Sequence, residues 1–194
     1  MTNAFTVHQD ETTAHVSFDD GKFNVFTLKS AIELLEIINR LESTPSLKIL
    51  FLSGNVRTFS AGVDIHTLQA GGPAADQLLD IVREILTILY ASRLRIISIC
   101  TGHAVAAGAM LLLVSDYRIG VRGNVKIGFS EVTYGIAINE LAILLVKDRI
   151  SVDQQYQATV LGKMFDSEEA RNAGFLDDLA VDLQQAQDKA VMMA

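Results

Sequence analysis

The sequence predicts an α/β fold in which most strands pair in parallel. Short apolar runs of strand length alternate along the chain with longer segments whose apolar residues recur at helical spacing. This alternation is typical of a parallel sheet with helices between its strands. A chain of 194 residues with 49% hydrophobic and 20% charged residues is ordinary for one globular domain. We therefore expect a single domain over residues 1–194.

The N-terminal part predicts a hairpin, a helix and a strand. Residues 5–9 and 14–18 alternate apolar with polar side chains, which indicates two antiparallel strands. Residues 28–41 have helical periodicity. The predicted buried stripe of this helix is Leu28, Ala31, Ile32, Leu35, Ile38 and Leu41. Residues 48–53 are a short apolar run, as expected of a buried strand.

The central part predicts a second amphipathic helix, a buried strand and an apolar helix. The stripe of the amphipathic helix is Leu78, Ile81, Val82, Ile85 and Leu89. Residues 95–101 form the apolar run of a strand. Residues 102–110 predict a tight turn that opens into a wholly apolar helix ending near Ser115. Such a helix has no polar face for solvent, so it must be buried.

The C-terminal part predicts two more strands followed by helices. The strands are expected at residues 117–121 and 125–128, with Gly123 and Asn124 as a turn signal between them. The remainder of the chain is expected to be mostly helical.

The start of the apolar helix has the properties of an oxyanion site. The first N–H groups of a helix have no intrahelical partner and carry the positive end of the helix dipole. A buried start built from Ala and Gly therefore suits a developing oxyanion. A loop of small residues at 58–65 precedes this helix, and residues 128–131 follow it and end in the carboxylate of Glu131.

Charge and motifs exclude several classes of function. A net charge of −7 without a basic cluster argues against nucleic acid and against an anionic membrane surface. The sequence has no Cys/His metal spacing, no P-loop and no G-x-G-x-x-G. Its one cysteine, Cys100, lies in an apolar run, which favours a buried structural thiol. Residues 1–10 and 191–194 carry no targeting signal, so we expect a cytoplasmic protein.

Five short motifs, taken in order, resemble those of the crotonase family, the enoyl-CoA hydratase/isomerase superfamily. They are residues 22–25 (Lys-Phe-Asn-Val), 59–64 (Phe-Ser-Ala-Gly-Val-Asp), 102–108 (Gly-His-Ala-Val-Ala-Ala-Gly), 115–119 (Ser-Asp-Tyr-Arg-Ile) and 173–177 (Ala-Gly-Phe-Leu-Asp). Any one motif is weak evidence, whereas five in the family's order are hard to obtain by chance.

The resemblance implies a crotonase-like spiral of ββα units. The spiral core would cover about residues 1–165, and a helical C-terminal segment would cover about residues 166–194. Members of the family commonly continue with helices that cover the acyl pocket and pack on a neighbouring subunit, so a shortened C-terminal helical region is expected here. Crotonases usually form trimers, which implies a homotrimer or a dimer of trimers.

The resemblance also implies roles for individual residues. The backbone N–H groups of Val63 and Ala107 would form an oxyanion hole, and Glu131 would be the catalytic base. The expected substrate-binding residues are Lys22, Phe23, Ser60, Ala61, Gly62, Asp64, Ile65, Gly108, Met110 and Ser130. The substrate would be an acyl-CoA thioester. No metal is expected, and no cofactor beyond the CoA of the substrate.

The acidic residues favour one reaction within the family. Crotonase hydratases use two glutamates, and the first of these positions is Met110 here, whereas the second is Glu131. A thioether cannot act as a general base. A single carboxylate suffices to move a double bond, so the pattern resembles the Δ3,Δ2-enoyl-CoA isomerases of fatty acid metabolism. Dienoyl isomerases add an aspartate eight residues after the glutamate, where this chain has Asn139.

Two alternatives stay open at this point. The first is other enolate chemistry, such as hydration, decarboxylation or thioester hydrolysis, because the oxyanion site is common to the family. The second is a non-catalytic scaffold subunit, which the shortened C-terminal region and the Ala106–Ala107 pair favour. A basic slot for CoA that leads to an apolar cavity with Glu131 pointing into it would favour catalysis, and a collapsed cavity would favour the scaffold.

Structural roles compete with functional ones at several positions. Asp64 is expected to shape its loop or cap the next helix, and Glu140 is expected to begin a helix. His66 and His103 are expected to be structural or exposed. Basic residues that are candidates for binding the anionic CoA, with solvated surface charge as an equal interpretation, are Lys22, Arg57, Arg93 and Arg95.

Overall fold

The computed structural model describes residues 3–194. Its strands are β1 (Phe5–Gln9), β2 (Thr13–Phe18), β3 (Val25–Phe26), β4 (Ile49–Ser53), β5 (Thr58–Ser60), β6 (Gly62–Val63), β7 (Arg95–Cys100), β8 (His103–Val105), β9 (Tyr117–Val121), β10 (Ile127–Gly128) and β11 (Asp178–Ala180). Its helices are α1 (Leu28–Glu42), α2 (Ile65–Ala70), α3 (Gly72–Tyr90), α4 (Ala107–Leu113), α5 (Glu140–Arg149), α6 (Val152–Thr159), α7 (Ser167–Ala173) and α8 (Leu183–Met192), with a 3₁₀ helix at Glu131–Tyr134. None of these helices combines the length and the apolar composition that a membrane span requires.

The strands form one large and two small sheets. The large sheet has six strands in the order β1-β2-β4-β7-β9-β11, the second has the order β10-β8-β5, and β3 pairs with β6. Apart from the antiparallel pair β1–β2, the named strands pair in parallel throughout residues 3–194. The α/β class and the mainly parallel pairing predicted from the sequence are therefore confirmed.

The N-terminal hairpin forms as predicted. Phe5 lies opposite Phe18 and Val7 lies opposite Val16 in the antiparallel register. Ala14, Val16 and Phe18 are buried on one face of β2, whereas His15, between Ala14 and Val16, is exposed. The alternation of apolar and polar residues in the sequence therefore corresponds to a strand with one buried face.

Helix α1 begins with a capping box and buries a different stripe from the predicted one. Its buried apolar residues are Ala31, Leu34, Ile38 and Leu41, and Leu34 was absent from the predicted stripe. Ile32, which was predicted to be buried, is 38% exposed. Ile32 follows Ala31 by about 100° around the helix axis, which carries its side chain away from the face that meets α3.

The segment predicted as a turn into the apolar helix is in part a strand. Residues 103–105 form β8, which pairs with β10 on one side and β5 on the other. The helix itself begins at Ala107 and ends at Leu113, and all seven of its residues are buried. The predicted burial is confirmed, and the turn prediction was wrong because pairing on both sides extends the backbone.

Strands β9 and β10 do not form the hairpin that a turn signal suggests. The bend at Gly123 and Asn124 is present. However, β9 pairs with β7 and β11 in the large sheet, whereas β10 pairs with β8 in the small one. The bend therefore moves the chain from one sheet to the other.

The segment 166–194 contains the predicted helices and also one short strand. It contains α7 and α8, but β11 between them adds a parallel strand beside β9. The guanidinium of Arg118 donates to both carboxylate oxygens of Asp177, at 2.8 and 2.6 Å, next to this strand. Helix α8 packs Ala186 and Ala190 on the outer face of the large sheet.

The side chain of Asn24 joins the hairpin, the first small loop and the β3 strand. Its Nδ2 donates to the carbonyls of Phe18, Thr58 and Phe59, at 2.8, 2.7 and 3.2 Å. Its Oδ1 accepts from the backbone N–H of Asp20. Asn24 is fully buried and has a left-handed backbone, with φ of 54°, a conformation that Asn tolerates better than most residues.

We expect Asn24→Ala to lower the free energy of unfolding by about 2–4 kcal/mol, because it leaves buried carbonyls without donors and places Ala at a positive φ. Urea denaturation followed by circular dichroism measures the change. Asn124→Ala, at an exposed bend, is the matched control and should change the unfolding free energy by less than about 0.5 kcal/mol. Equal stability of the two variants would contradict a central role for Asn24.

Candidate active site

A cavity of about 540 Å³ lies between α3, the start of α4 and the segment that follows β10. This volume is in the usual range of small-molecule sites. Its walls are mainly apolar, and the ionisable side chains that line it are Asp64, His66, Arg83, Glu131 and Tyr134. The cavity is open rather than collapsed and Glu131 lines it, which argues against the scaffold alternative, whereas Lys22, Arg57, Arg93 and Arg95 do not line it and do not form the expected basic slot.

The first small loop places the N–H of Val63 toward this cavity. The neighbouring N–H of Asp64 donates to the carbonyl of Phe26 in β3 at 3.0 Å. Successive N–H groups of a strand point in opposite directions, so the N–H of Val63 points away from β3. Val63 also lines the cavity, and the role of its N–H as an oxyanion donor stays a prediction.

The start of α4 holds the second predicted donor, the N–H of Ala107. Met110 donates its N–H to the carbonyl of Ala106, and Ala106 donates to the carbonyl of Gly128 at 2.9 Å. Ala107 is the first helical residue, so its N–H has no partner inside the helix. Ala106 has a φ of 53°, which is a strained conformation for alanine. This strain turns the chain from β8 into the helix beside the cavity.

Two glycines bring the loop and the helix together. A Cβ at Gly108 would lie 2.2 Å from the carbonyl oxygen of Ser60, so only glycine allows this approach. Gly62 has a φ of +88°, and a Cβ there would lie 2.8 Å from the carbonyl oxygen of Val105. The Ser60 hydroxyl donates to the carbonyl of Asn24 at 2.8 Å and accepts from the N–H of Gly62 at 3.1 Å. Ser60, Gly62 and Gly108 therefore shape the site and do not line it.

Glu131 begins the 3₁₀ helix and places a carboxylate in the cavity wall. Its Oε2 is buried and has no hydrogen-bond partner within residues 3–194. Burial raises the pKa of Glu131, because an apolar surrounding disfavours the charged form, and nearby backbone N–H groups oppose the shift only in part. A half-buried carboxylate that nothing neutralises is suited to accept a proton.

Met110 occupies the wall where a second carboxylate would be needed for hydration. Its side chain is 4% exposed and lines the cavity. The Nδ2 of Asn139 lies 3.8 Å from the Met110 sulfur, while the Asn139 Oδ1 caps α5 by accepting from the N–H of Ala142 at 2.9 Å. Neither residue can exchange a proton near neutral pH.

The other carboxylate of the wall, Asp64, is already occupied. Its Oδ2 accepts from the hydroxyl of Thr67 at 2.6 Å, and its oxygens also accept from the N–H groups of His66 and Thr67. The hydroxyl bond of Thr67 lowers the pKa of Asp64, so this carboxylate remains ionised. Asp64 is the N-cap of α2, as predicted.

The structure gathers most of the predicted site residues around one cavity. Those that line it are Phe23, Ala61, Val63, Asp64, Ile65, Ala107, Met110, Ser130 and Glu131. Lys22 is exposed and does not line the cavity. Among residues 3–194, no three His, Cys, Asp or Glu side chains are grouped as a metal site.

The basic residues of the cavity differ from those expected. Arg57, Arg93 and Arg95 do not line it. Arg93 instead donates to carbonyls at the end of α1, including those of Leu47 and Thr44 at 2.9 and 2.6 Å. Sequence analysis missed Arg83, although it lies next to Val82 of the predicted stripe. Helical spacing alone did not show which residues at the edge of that stripe reach a cavity.

The remaining single residues have structural environments. His103 accepts the N–H of Lys126 at its Nδ1, at 2.9 Å. Glu140 is exposed, begins α5 and does not line the cavity. Cys100 is buried, and this burial raises its pKa to about 12, so its thiol stays protonated. Each of these outcomes agrees with the structural interpretation drawn from the sequence.

Comparison with known proteins identifies the family. Residues 8–194 match the family model described as Enoyl-CoA hydratase/isomerase. The chain belongs to the enoyl-CoA hydratase/isomerase family. The resemblance drawn from the five motifs is thereby confirmed.

Named relatives of this enoyl-CoA hydratase/isomerase family member include both activities. The probable enoyl-CoA hydratase EchA17 of Mycobacterium tuberculosis is 26% identical over 172 residues, which cover 88% of this chain and 66% of that protein. The mitochondrial enoyl-CoA delta isomerase 1 of Rattus norvegicus is 29% identical over 174 residues, covering 86% of this chain and 58% of that protein. The chain thus spans 66% and 58% of the length of these two curated relatives.

Solved structures confirm the crotonase fold. An enoyl-CoA isomerase of M. tuberculosis has a TM-score of 0.90 at 30% identity, covering 100% of this chain and 84% of that one. Human mitochondrial Δ3-Δ2-enoyl-CoA isomerase has a TM-score of 0.92 at 26% identity, covering 98% of this chain and 75% of that one. The same M. tuberculosis protein is named a probable enoyl-CoA hydratase, EchA3, in another structure. Names of relatives therefore do not decide between the two reactions.

Gly108→Ala should destabilise the protein, although alanine is normally the better helix residue. The new Cβ would overlap the carbonyl of Ser60, and we expect a loss of about 1–3 kcal/mol in the free energy of unfolding. Urea denaturation measures it. Gly123→Ala is the matched control, because a Cβ there meets nothing within 4 Å. If both variants were as stable as the native protein, the close contact between the loop and α4 would be wrong.

Glu131→Gln should stabilise the protein at neutral pH. The folded state raises the pKa of Glu131, so it holds its proton more tightly than the unfolded state does. Stability from this group is full below the unfolded pKa and falls as pH rises through the folded pKa. Denaturation of both proteins from pH 4 to pH 8 should show the variant gaining stability relative to the native protein as pH rises. A gain that is constant with pH would argue against a perturbed carboxyl.

Proposed function

We propose that this protein moves the double bond of an enoyl-CoA thioester from the Δ3 to the Δ2 position. The carrying observation is that the cavity carboxylate of Glu131 has a buried Oε2 without a hydrogen-bond partner among residues 3–194, while Asp64 is held in a helix cap. One available carboxylate supports a reaction in which the same group removes and returns a proton. Isomerase names among the relatives support the proposal.

The reaction begins with proton removal from C2 of the substrate. Glu131 accepts this proton, and the electron pair moves toward the thioester oxygen to form a dienolate. The N–H groups of Val63 and Ala107 donate to that oxygen, and each preorganised donor stabilises the transition state by roughly 2.7–4 kcal/mol. Their value depends on rigidity, and the glycine contacts at positions 62 and 108 hold the two segments in place.

The second half of the reaction returns the proton to C4. The dienolate collapses to a conjugated 2-enoyl thioester, and Glu131 is again a carboxylate. The raised pKa of Glu131 brings its proton affinity closer to that of the reacting carbon acid. Apolar side chains such as Leu79, Val82 and Leu86 line the opposite wall, where they would contact the acyl chain and exclude water.

The proposal includes the substrate class, the cofactor requirement and the assembly. The substrate is an acyl-CoA thioester, as expected for fatty acid metabolism, and no cofactor is needed beyond its CoA. The homotrimer or dimer of trimers and the cytoplasmic location expected from the sequence stay predictions.

Hydration is the second candidate, because several relatives carry hydratase names. Adding water across a double bond requires one group to activate the water and a proton to reach the neighbouring carbon. Met110 supplies neither function. Glu140, the nearest acidic residue in sequence to Asn139, does not line the cavity. The geometry therefore supports isomerisation over hydration.

The test of the proposal is conversion of 3-hexenoyl-CoA, followed by the ultraviolet absorbance of the conjugated 2-enoyl thioester. We expect conjugation with 3-hexenoyl-CoA and at most trace hydration of crotonyl-CoA, because the second carboxylate is missing. Hydration at a rate comparable to isomerisation would reverse the order of the two candidates. Absence of conjugation at any chain length tried would exclude the isomerase.

Glu131→Gln should lower kcat by roughly 10²–10⁴-fold, the usual cost of losing a general base. Binding of saturated hexanoyl-CoA, measured by calorimetry, should stay nearly unchanged because the side-chain shape is kept. Glu140→Gln is the matched control and should retain activity. Weaker binding with unchanged kcat would instead place Glu131 in substrate positioning.

A further inference from the structure

Arg83 is the one arginine or lysine among the residues described as lining the cavity. His66 also lines this wall. The protein as a whole has a net charge of −7, so an anionic ligand is repelled unless a local cation attracts it. A permanent positive charge in this wall is therefore notable for a cavity that otherwise carries two carboxylates.

The position of Arg83 on α3 turns it toward the cavity. Leu79, Val82 and Leu86 of the same helix line the cavity, and together with Arg83 they have the spacing of one helix face. Val82 and Leu86 are buried, whereas Arg83 follows at the exposed border of that face. The apolar side chains thus continue into a guanidinium at the edge of the wall.

The present partner of Arg83 is easily exchanged. Its Nη1 lies 2.7 Å from the Oδ1 of Asp80, one turn earlier on α3, and the two side chains are 59% and 68% exposed. An exposed ion pair of this kind contributes little to stability, because water screens its charges. A ligand anion that brings two oxygens can therefore compete with Asp80 for the guanidinium.

We propose that Arg83 binds an anionic oxygen group of the acyl-CoA ligand. This inference rests on the proposed function, because it assumes an acyl-CoA in this cavity. The two sources of such oxygens are a carboxylate at the far end of the acyl chain and the phosphates of CoA. The apolar neighbours of Arg83 on α3 favour the carboxylate, because a hydrocarbon chain covers Leu79 and Leu86 better than a polar pantetheine or nucleotide does.

The experiment measures dissociation constants of saturated ligands, so that no turnover is needed. Hexanoyl-CoA and adipoyl-CoA have acyl chains of equal length and differ in a terminal carboxylate, and their 3′-dephospho forms lack one phosphate. The variant is Arg83→Gln. Arg122→Gln is the matched control. Arg122 is also an arginine with an exposed side chain (51%) and an ion-pair partner, Glu168, but it does not line the cavity.

We expect Arg83→Gln to weaken the binding of adipoyl-CoA by about 10–100-fold, the effect of losing a charged hydrogen bond. The affinity of this variant for hexanoyl-CoA, and the affinities of Arg122→Gln for both ligands, should be unchanged. If Arg83→Gln weakens the binding of hexanoyl-CoA and adipoyl-CoA equally, Arg83 binds the CoA phosphates. If the substitution then leaves the affinities of the 3′-dephospho ligands unchanged, the phosphate that it binds is the 3′-phosphate. Affinities that match those of Arg122→Gln for every ligand overturn the proposal.

The outcome is separable from that of the proposed function. If the affinities change as expected while 3-hexenoyl-CoA is not isomerised, the reaction is wrong and the role of Arg83 stands. If isomerisation is seen and Arg83→Gln has no effect on any ligand, the reaction stands and the role of Arg83 is wrong. If the native protein binds none of the four ligands, both are wrong.

Discussion

The close contact of two backbones is the constraint on which the site depends. The loop through Ser60 and Gly62 touches the β8–α4 junction at distances that no side chain could share. Strand β8 also pairs with β10, and β10 leads directly to Glu131. A strand of three residues therefore connects the loop before Val63, the start of α4 and the segment that leads to Glu131. Because these three segments meet at one strand, a shift of any of them would disturb the geometry of the proposed donors and base.

This arrangement concentrates unfavourable features in one place. Ala106 has a positive φ, Glu131 has a buried oxygen without a partner, and the first N–H of α4 has none within its helix. Such features persist only where the surrounding structure holds them. Helix α4 is buried along its whole length, and Asn24 ties the loop to the hairpin. Tight packing around the cavity thus maintains a site that is locally strained and poorly solvated.

Local patterns predicted the elements well and their partners less well. The hairpin, the first two long helices and the buried α4 follow from periodicity, because side-chain burial repeats at the period of each element. Residues 103–105 were misassigned, because three residues carry no periodicity and their extended form comes from pairing with β5 and β10. The turn signal at Gly123 and Asn124 correctly marked a bend but left the partner of β10 open, since a turn signal does not say which sheet receives the next strand. Ile32 shows that a stripe is defined only to within one position until the neighbouring helix is known.

The sequence by itself determined the family, the likeness to a single-carboxylate enzyme and nine of the residues that line the cavity, because short motifs with glycine at fixed positions indicate where backbones must approach. Only the tertiary structure decided that Ser60, Gly62 and Gly108 shape the wall without lining it, and that Asp64 is held by Thr67 while Glu131 is not. It also showed that Arg83 lines the cavity, whereas the expected Arg93 binds backbone carbonyls elsewhere. These distinctions depend on distances in space between residues that are far apart in the chain. Hydrogen bonding and desolvation are set by those distances, and sequence spacing does not determine them.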